Sequence, residues 1–217
     1  MNGELNALLE KTGELKEITD RYGKKILYTE YGDKEIYLSE SGVGEILAAG
    51  AAQRLISAYG VEAIINFGVC GSLKPRHSLK KTVIVKGVAH YEFDTSALDG
   101  CEAGKYDFLP SVIIPTDEDL IRAALSINPS LEQVICASGN KFVEDKNFKS
   151  YLRETFNADV CEMEAAGIAL TCHANGVPCL MVKAVSDGEG GAAEFEATVY
   201  EASRVYTDLV MNLIKIL

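Results

Sequence analysis

The sequence predicts an α/β sandwich with a largely buried mixed sheet, and three observations carry that reading. Apolar, β-prone runs alternate with stretches of helical periodicity along most of the chain. Several of the strand-like runs, such as "EAIINFG" and "CLMVKAV", are apolar almost throughout, as strands covered on both faces are. The 217 residues, 47% of them hydrophobic, suffice for a sizeable core, and no repeat, low-complexity tract or Pro/Ser-rich linker divides them. A single domain over residues 1–217 is expected.

The elements follow in order. "MNGELNALLEKTGELKEI" carries acidic residues within a helical pattern. "KILYTEYGDKEIYLSES", Lys25 to Ser41, is two β-prone runs around Gly32-Asp33 and reads as a hairpin. "VGEILAAGAAQRLISAYG" brings Ile46, Ala49, Leu55 and Ile56 roughly to one face and stops on Gly60, which reads as a helix with a glycine end. "EAIINFG" and "TVIVKGVAHYEF" read as strands. "TDEDLIRAALSI" opens a helix with capping-box spacing from Thr116 to Asp119, and "VICASG" returns to a strand. "NFKSYLRETF" is helical, "ADVCEM" extended, "EAAGIALTCHANG" helical and "VPCLMVKAVSD" extended. "AEFEATVYEASRVYTDLVMNLIKIL" reads as one long amphipathic helix.

Composition narrows the ligands. A net charge of −11 argues against a nucleic-acid partner, because phosphate backbones attract clustered cations, and leaves small molecules. The six cysteines, Cys70, Cys101, Cys136, Cys161, Cys172 and Cys179, form no C-x-x-C pair and mostly lie in apolar runs, which suits buried reduced thiols and a cytoplasmic location. No basic n-region with an apolar h-region opens the chain, and no apolar run of about 18 residues occurs, so neither a signal peptide nor a membrane span is expected. His77, His90 and His173 are isolated from one another, without H-x-x-x-H or H-E-x-x-H spacing; no metal and no cofactor is expected.

Three stretches carry chemistry. In "VCEMEAAGIALTCHANG", Glu162 and Glu164 fall at the carboxyl end of a strand, where sheets of this class bind ligands. Two apart on an extended segment, they point to one face and Met163 to the other. One reading starts the next helix at Glu164 and leaves Glu162 solvated; the other uses a carboxylate to accept both protons of a ribose 2',3'-diol, with the thioether on the sugar's apolar side. In "LMVKAVSDGEGG" an apolar strand stops at Ser186-Asp187. The aspartate either caps a turn or, partly desolvated, acts as a general acid held by the Ser186 hydroxyl. In "INFGVCGSL" a strand runs into Gly68 and Gly71, where backbone amides can approach a ligand; no P-loop or dinucleotide fingerprint is present.

Together these stretches resemble the nucleoside phosphorylase and nucleosidase superfamily, in particular its 5'-methylthioadenosine/S-adenosylhomocysteine nucleosidases. "SGVG" at Ser41 to Gly44, "INFGVCGSL", "SGNKFV" at Ser138 to Val143, "EMEAAGIA" at Glu162 to Ala169 and "VKAVSD" at Val182 to Asp187 occur in family order over nearly the whole chain. The resemblance implies a three-layer α/β/α fold with a central mixed sheet, a purine nucleoside substrate and cleavage of its N-glycosidic bond through an oxocarbenium-like transition state. It implies that Glu164 binds the ribose hydroxyls, Met163 packs on the sugar, Phe142 stacks on the base and the backbone of Val143 hydrogen-bonds it. Asp187, positioned by Ser186, would protonate purine N7, while Glu162, Val43, Phe195 and the Gly68-Gly71 loop would line the pocket. Self-association as a homodimer or hexamer is implied as well.

The nucleophile is expected to be water. Phosphorylases of this kind place an arginine two residues before the first loop glycine and a serine after it, where this chain has Asn66 and Val69; nucleosidases carry asparagine at the first position. None of Arg21, Arg54, Arg76, Arg122, Arg153 and Arg204 falls at a strand end facing the presumed crevice, and bound phosphate needs several such donors. Phosphorolysis is the alternative, and a nucleoside- or nucleobase-binding protein without turnover, or an assembly subunit with a vestigial pocket, is the alternative of another class. Nucleosidases of the family begin with a short apolar strand and a cluster of glutamates, one of which activates water. Here "MNGELNALLEK" lacks that strand and offers Glu4 at the matching place, so ribose and base recognition with impaired water activation is expected.

Overall fold

The structure, a computed structural model, describes residues 15–20, 23–74 and 77–217. Glu4, Arg21, Arg76 and the segment where the N-terminal strand was expected to be missing lie outside the described residues. The described residues begin with an antiparallel three-stranded sheet of β1 (Lys16–Thr19), β2 (Lys25–Tyr31) and β3 (Lys34–Leu38). The hairpin turns at Gly32-Asp33 as expected, with Tyr31 opposite Lys34. Lys16–Thr19 is a strand where a helical pattern was expected. Its backbone finds partners in the hairpin, from Lys16 opposite Tyr28 to Thr19 opposite Lys25, and cross-strand pairing of this kind overrides a weak local preference.

After α1 (Glu45–Tyr59), which ends on the left-handed Gly60, come β4 (Ile64–Ser72), β5 (Thr82–His90), the single turn α2 (Ser96–Asp99) and β6 (Ile113–Pro115). They are followed by α3 (Glu118–Ile127), β7 (Glu132–Ser138), α4 (Lys146–Phe156), β8 (Val160–Glu162), α5 (Ala165–Asn175) and β9 (Cys179–Asp187). The six strands from β4 onward form one mixed sheet in the order β6-β5-β7-β8-β4-β9. One edge of β5 also pairs with β9 along Thr82–Val85 and with β6 along Gly87–Ala89, so β5, β7, β8, β4 and β9 close into a ring.

Two sequence expectations change at helix ends. The start of α3 is capped by Asp117, whose Oδ1 accepts the Leu120 amide at 2.9 Å, in place of a Thr116–Asp119 box. Thr116 Oγ1 donates instead to the Val85 carbonyl at 2.7 Å and ties the loop to the sheet. The C-terminal segment is two helices, α6 (Gly191–Val205) and α7 (Thr207–Ile216), broken at Tyr206. No glycine or proline announces the break. The Tyr206 ring is fully buried against Phe67, centroids 5.6 Å apart, and the bend lets Ala202 of one helix and Leu209, Val210 and Leu213 of the other face the same core.

Strand alternation splits the core into layers. Val83 and Val85 of β5 and Met181 and Val185 of β9 face α1 and α5, while Ile84, Leu180 and Val182 face α3, α6 and α7. A third cluster packs Leu152 and Phe156 of α4 on Ala89, Ala137 and Cys161. Among the described residues no helix is long and apolar enough to cross a membrane. Helices α1 and α5 meet through small residues, Ala48 and Ala52 against Ala165, Ala166 and Ala169. A Cβ on Gly167 would lie 2.3 Å from the Glu45 carbonyl oxygen.

That clash sets a test of the contact. Gly167→Ala gains about 1 kcal/mol in helix propensity, but a methyl group driven into a backbone oxygen costs more, typically about 1–3 kcal/mol of overpacking. A net fall in Tm of several degrees is expected on thermal denaturation. An unchanged or raised Tm would show that the two helices part at no cost.

Candidate active site

The carboxyl ends of β8 and β9 and the 66–71 stretch of β4, which runs antiparallel to β8, meet at one cavity of about 470 Å³. It holds Glu162, Met163 and Glu164 from the end of β8, Ser186 and Asp187 from the end of β9, and Gly68 and Gly71 from β4. Val43, Phe142, Val143 and Phe195 complete its walls. Every predicted site residue among those described therefore lines one space. A second cleft of about 630 Å³ carries Lys74, Lys149 and Arg153, but these cations are already paired with Asp159, the Gly188 carbonyl and Glu154.

Asp187 is 3% exposed. Burial pushes its carboxyl above the usual carboxylate range, against the opposing pull of the Ser186 hydroxyl and of Lys149, with Glu194 adding to the rise. Ser186 Oγ donates to Asp187 Oδ1 at 2.8 Å and lies 3.3 Å from the Cys70 carbonyl, which ties the pair to β4. Thr198 on α6 donates to the Ser186 carbonyl, and Glu194 Oε2 accepts the Gly188 amide at 2.7 Å, so both sides of Asp187 are tied to α6. Gly71 makes room for the acid: a Cβ there would sit 2.9 Å from Asp187 Oδ2 and 3.3 Å from Cys161 Sγ. It lies within β4, at a register shift between Cys70 and Gly71, and not in a loop.

The two glutamates have divided their work. Glu162 is buried, not solvated, and its carboxylate accepts the Ala165 amide at 3.0 Å, the Glu164 amide at 3.1 Å and Lys183 Nζ at 3.1 Å. It thus caps α5, where an anion is favoured by the exposed amides and the helix dipole. Glu164 occupies the N-cap position itself, but its Oε1 reaches away to the Gly44 amide at 2.8 Å. Burial, and then the Glu162 charge, raise the Glu164 carboxyl, while Lys183 and the Gly44 and Met163 amides pull it down. Met163 faces the cavity as the glutamates do, because β8 ends at Glu162 and strand alternation stops there.

Lys183 is the residue that sequence reasoning missed. It is 2% exposed in the middle of an apolar strand, on the face shared by Met181 and Val185, and it lines the cavity. Burial alone would lower the ammonium, but the Glu162 and Glu164 charges outweigh it and hold Lys183 above its usual value. A lone lysine inside "CLMVKAV" was the available signal. Among the described arginines none lines the cavity.

At the far end Phe142 and Phe195 meet edge to face, centroids 5.7 Å apart and planes at 77°. Asn66 lines the same cavity, and its Oδ1 is buried without a hydrogen-bond partner. His90, isolated in sequence, is not isolated in space: its Nε2 lies 2.9 Å from Glu45 and its Nδ1 2.7 Å from the Tyr106 hydroxyl. His77 is buried between Ser72 and Glu132, and His173 is exposed and stacked on Phe108.

Comparison with known proteins agrees with this geometry. The aminodeoxyfutalosine nucleosidase of Campylobacter jejuni is 31% identical, over 98% of this chain and 94% of that protein. The 5'-methylthioadenosine/S-adenosylhomocysteine nucleosidase of Staphylococcus carnosus is 29% identical, over 99% and 96%. A crystal structure of an aspartate-to-asparagine variant of the Helicobacter pylori nucleosidase MTAN, with 5'-methylthioadenosine in its active site, superposes with a TM-score of 0.93 at 26% identity, over 100% of this chain and 96% of that one. The Phosphorylase superfamily matches residues 1–216, and with the strands, the buried acid and the paired glutamates all in place, the chain belongs to that superfamily.

Proposed function

We propose that the chain is a nucleosidase that hydrolyses the N-glycosidic bond of a purine nucleoside such as 5'-methylthioadenosine. One observation carries the reading: a single cavity sets a desolvated acid, Asp187, beside an oriented carboxylate, Glu164. As the bond to the base lengthens, negative charge builds on the purine and positive charge on the ribosyl ring. Asp187, its protonated form favoured by burial, donates to the leaving base, and Ser186 fixes the direction of that donation. Glu164 accepts from the ribose hydroxyls and its charge opposes the developing cation. Met163 packs on the sugar, and Phe142 and Phe195 form an aromatic corner for the base.

Water as nucleophile is supported by the charge inside the cavity. Lys183 is committed to Glu162, the Lys141 ammonium lies 4.5 Å over the Phe148 ring, Asn66 presents a buried acceptor, and Val69 offers no side-chain donor, so a phosphate dianion would find little to neutralise it. The relatives compared above are likewise named nucleosidases. Activation of that water rests on Glu4 in this reading. Self-association is supported by Val43, Ile46 and Leu47, exposed apolar side chains beside the cavity mouth, and a reducing compartment by the six free cysteines.

Three outcomes test the proposal. Incubation with 5'-methylthioadenosine should release free base equally with and without phosphate; base that appears only with phosphate, together with a sugar 1-phosphate, would refute hydrolysis. Asp187→Asn should lower kcat by about 10²–10⁴-fold with little change in nucleoside affinity. Because the raised carboxyl stays protonated to higher pH and loses its proton as pH climbs through that value, kcat/KM of the wild type should fall on the alkaline side above the ordinary carboxylate range, and the asparagine variant should lose that limb. Glu164→Gln should weaken nucleoside binding by about 10-fold to 100-fold, the worth of a hydrogen bond to a charged group, and leave free adenine binding nearly unchanged; equal losses for both would remove Glu164 from the ribose.

A further inference from the structure

Glu45 stands outside the groups that line the cavity, yet its carboxyl is buried and hydrogen-bonded through both oxygens. Ser138 Oγ donates to its Oε1 at 3.1 Å; His90 Nε2, at 2.9 Å, and Asn140 Nδ2, at 3.2 Å, meet its Oε2. Its own backbone amide donates to Asn140 Oδ1 at 2.9 Å. The Asn140 side chain therefore holds the first residue of α1 twice, by carboxylate and by amide. Asn140 is in turn fixed by Glu92, whose Oε2 accepts its backbone amide at 2.9 Å and its Nδ2 at 3.1 Å. Ser138 also accepts the Ala166 amide at 3.0 Å, which links the same cluster to the start of α5.

The residue before Glu45 is the one whose amide orients Glu164. Gly44 has φ 91° and ψ 157°, a backbone region open to glycine, and a Cβ there would lie 2.8 Å from Asn140 Oδ1. Its N–H reaches Glu164 Oε1, 120 residues away in sequence, at 2.8 Å. Gly44 carries no side chain to pack, and its local tie is on the carbonyl side, which accepts the Ala48 amide at 3.1 Å. The anchor is one residue on, where Glu45 locks the peptide against Asn140, Ser138 and His90. We infer that Glu45 is a positioning residue for ribose recognition: by clamping the Gly44–Glu45 peptide it fixes the Gly44 Cα, and through it the Val43–Gly44 peptide whose N–H sets the direction of the Glu164 carboxylate.

The inference rests on the proposed ribose role of Glu164, and the experiment separates the two. Binding of 5'-methylthioadenosine and of free adenine is measured by calorimetry on chains that carry Asp187→Asn, so that substrate is not consumed. In that background Glu45→Ala should weaken the nucleoside on the order of tenfold, the worth of a misdirected hydrogen bond to a charged group, and leave adenine unchanged. Glu45→Gln, which keeps an acceptor for Ser138 or Asn140, should recover most of the loss. Combined with Glu164→Gln, Glu45→Ala should add nothing further, because the carboxylate it aims is gone. Should Glu45→Ala fold poorly, Asn140→Ala, which removes the same clamp from its other side, should shift the nucleoside-to-adenine ratio in the same direction. An unchanged ratio in folded Glu45→Ala and Asn140→Ala chains, or a loss fully additive with Glu164→Gln, would overturn the inference. A parent chain that binds adenine but no nucleoside would instead overturn the ribose role of Glu164.

Discussion

The ion pair between Lys183 and Glu162 is the contact on which the floor of the cavity depends. Each charge taken from water costs several kcal/mol, so two such groups persist together only when their remaining hydrogen-bonding capacity is also met. The Glu162 carboxylate meets that condition: it takes Lys183 on one side and the amides of Glu164 and Ala165, at the start of α5, on the other. One side chain thereby joins β8, β9 and α5 and fixes the turn at Met163 and Glu164. Without it the helix start would lose its cap, the lysine its counter-charge and Glu164 its place.

Around that floor stand two further acids, both raised by burial but given different partners. Burial and the Glu162 charge raise the Glu164 carboxyl, and the Lys183 charge and backbone amides, that of Gly44 among them, pull against that rise. The nearest help to Asp187 is a hydroxyl and a more distant lysine, set against desolvation and the negative Glu194. Two carboxyl groups of similar intrinsic acidity thus differ in what holds them, Glu164 by a backbone amide and Asp187 by a hydroxyl, and it is this geometry that suits one to accept and the other to donate. The small residues nearby serve that separation, since Gly71 leaves the volume that the Asp187 carboxyl fills.

The layered α/β fold, the hairpin, most element boundaries and the meeting of Glu164, Asp187, Phe142 and Phe195 in one cavity were legible in the sequence. They depend on periodicity, or on short stretches whose order carries the likeness. What escaped was long-range. Lys183 reads as an odd residue in an apolar strand until Glu162, 21 positions away, is brought against it. The Glu45–His90–Asn140 cluster joins residues up to 95 positions apart, and no spacing rule reaches that far. The break at Tyr206 has no local breaker, because the core contact with Phe67 makes it. Lys16–Thr19 became a strand through a partner supplied by the hairpin. The alternation argument for Met163 failed because the strand ended one residue too early for it.

The closure of the sheet has a mechanical consequence. Each of β4, β7, β8 and β9 is paired on both edges within the ring, and β5 on both edges with a third partner besides. No one of them can open outward by breaking a single ladder, so slow amide exchange in these strands reports on unfolding of the ring as a whole. Asp187 and Glu162 ride on that rigid frame. Motion that admits and releases a ligand then falls to what lies outside it: the Ser41–Val43 approach to α1, the Lys141–Phe142 turn and the N-terminal part of α6 that carries Phe195. Val43 and Phe142 are the exposed apolar side chains among these, at 45% and 41%. The molecule so divides into a stiff cage that holds the acids and a softer rim that meets the ligand.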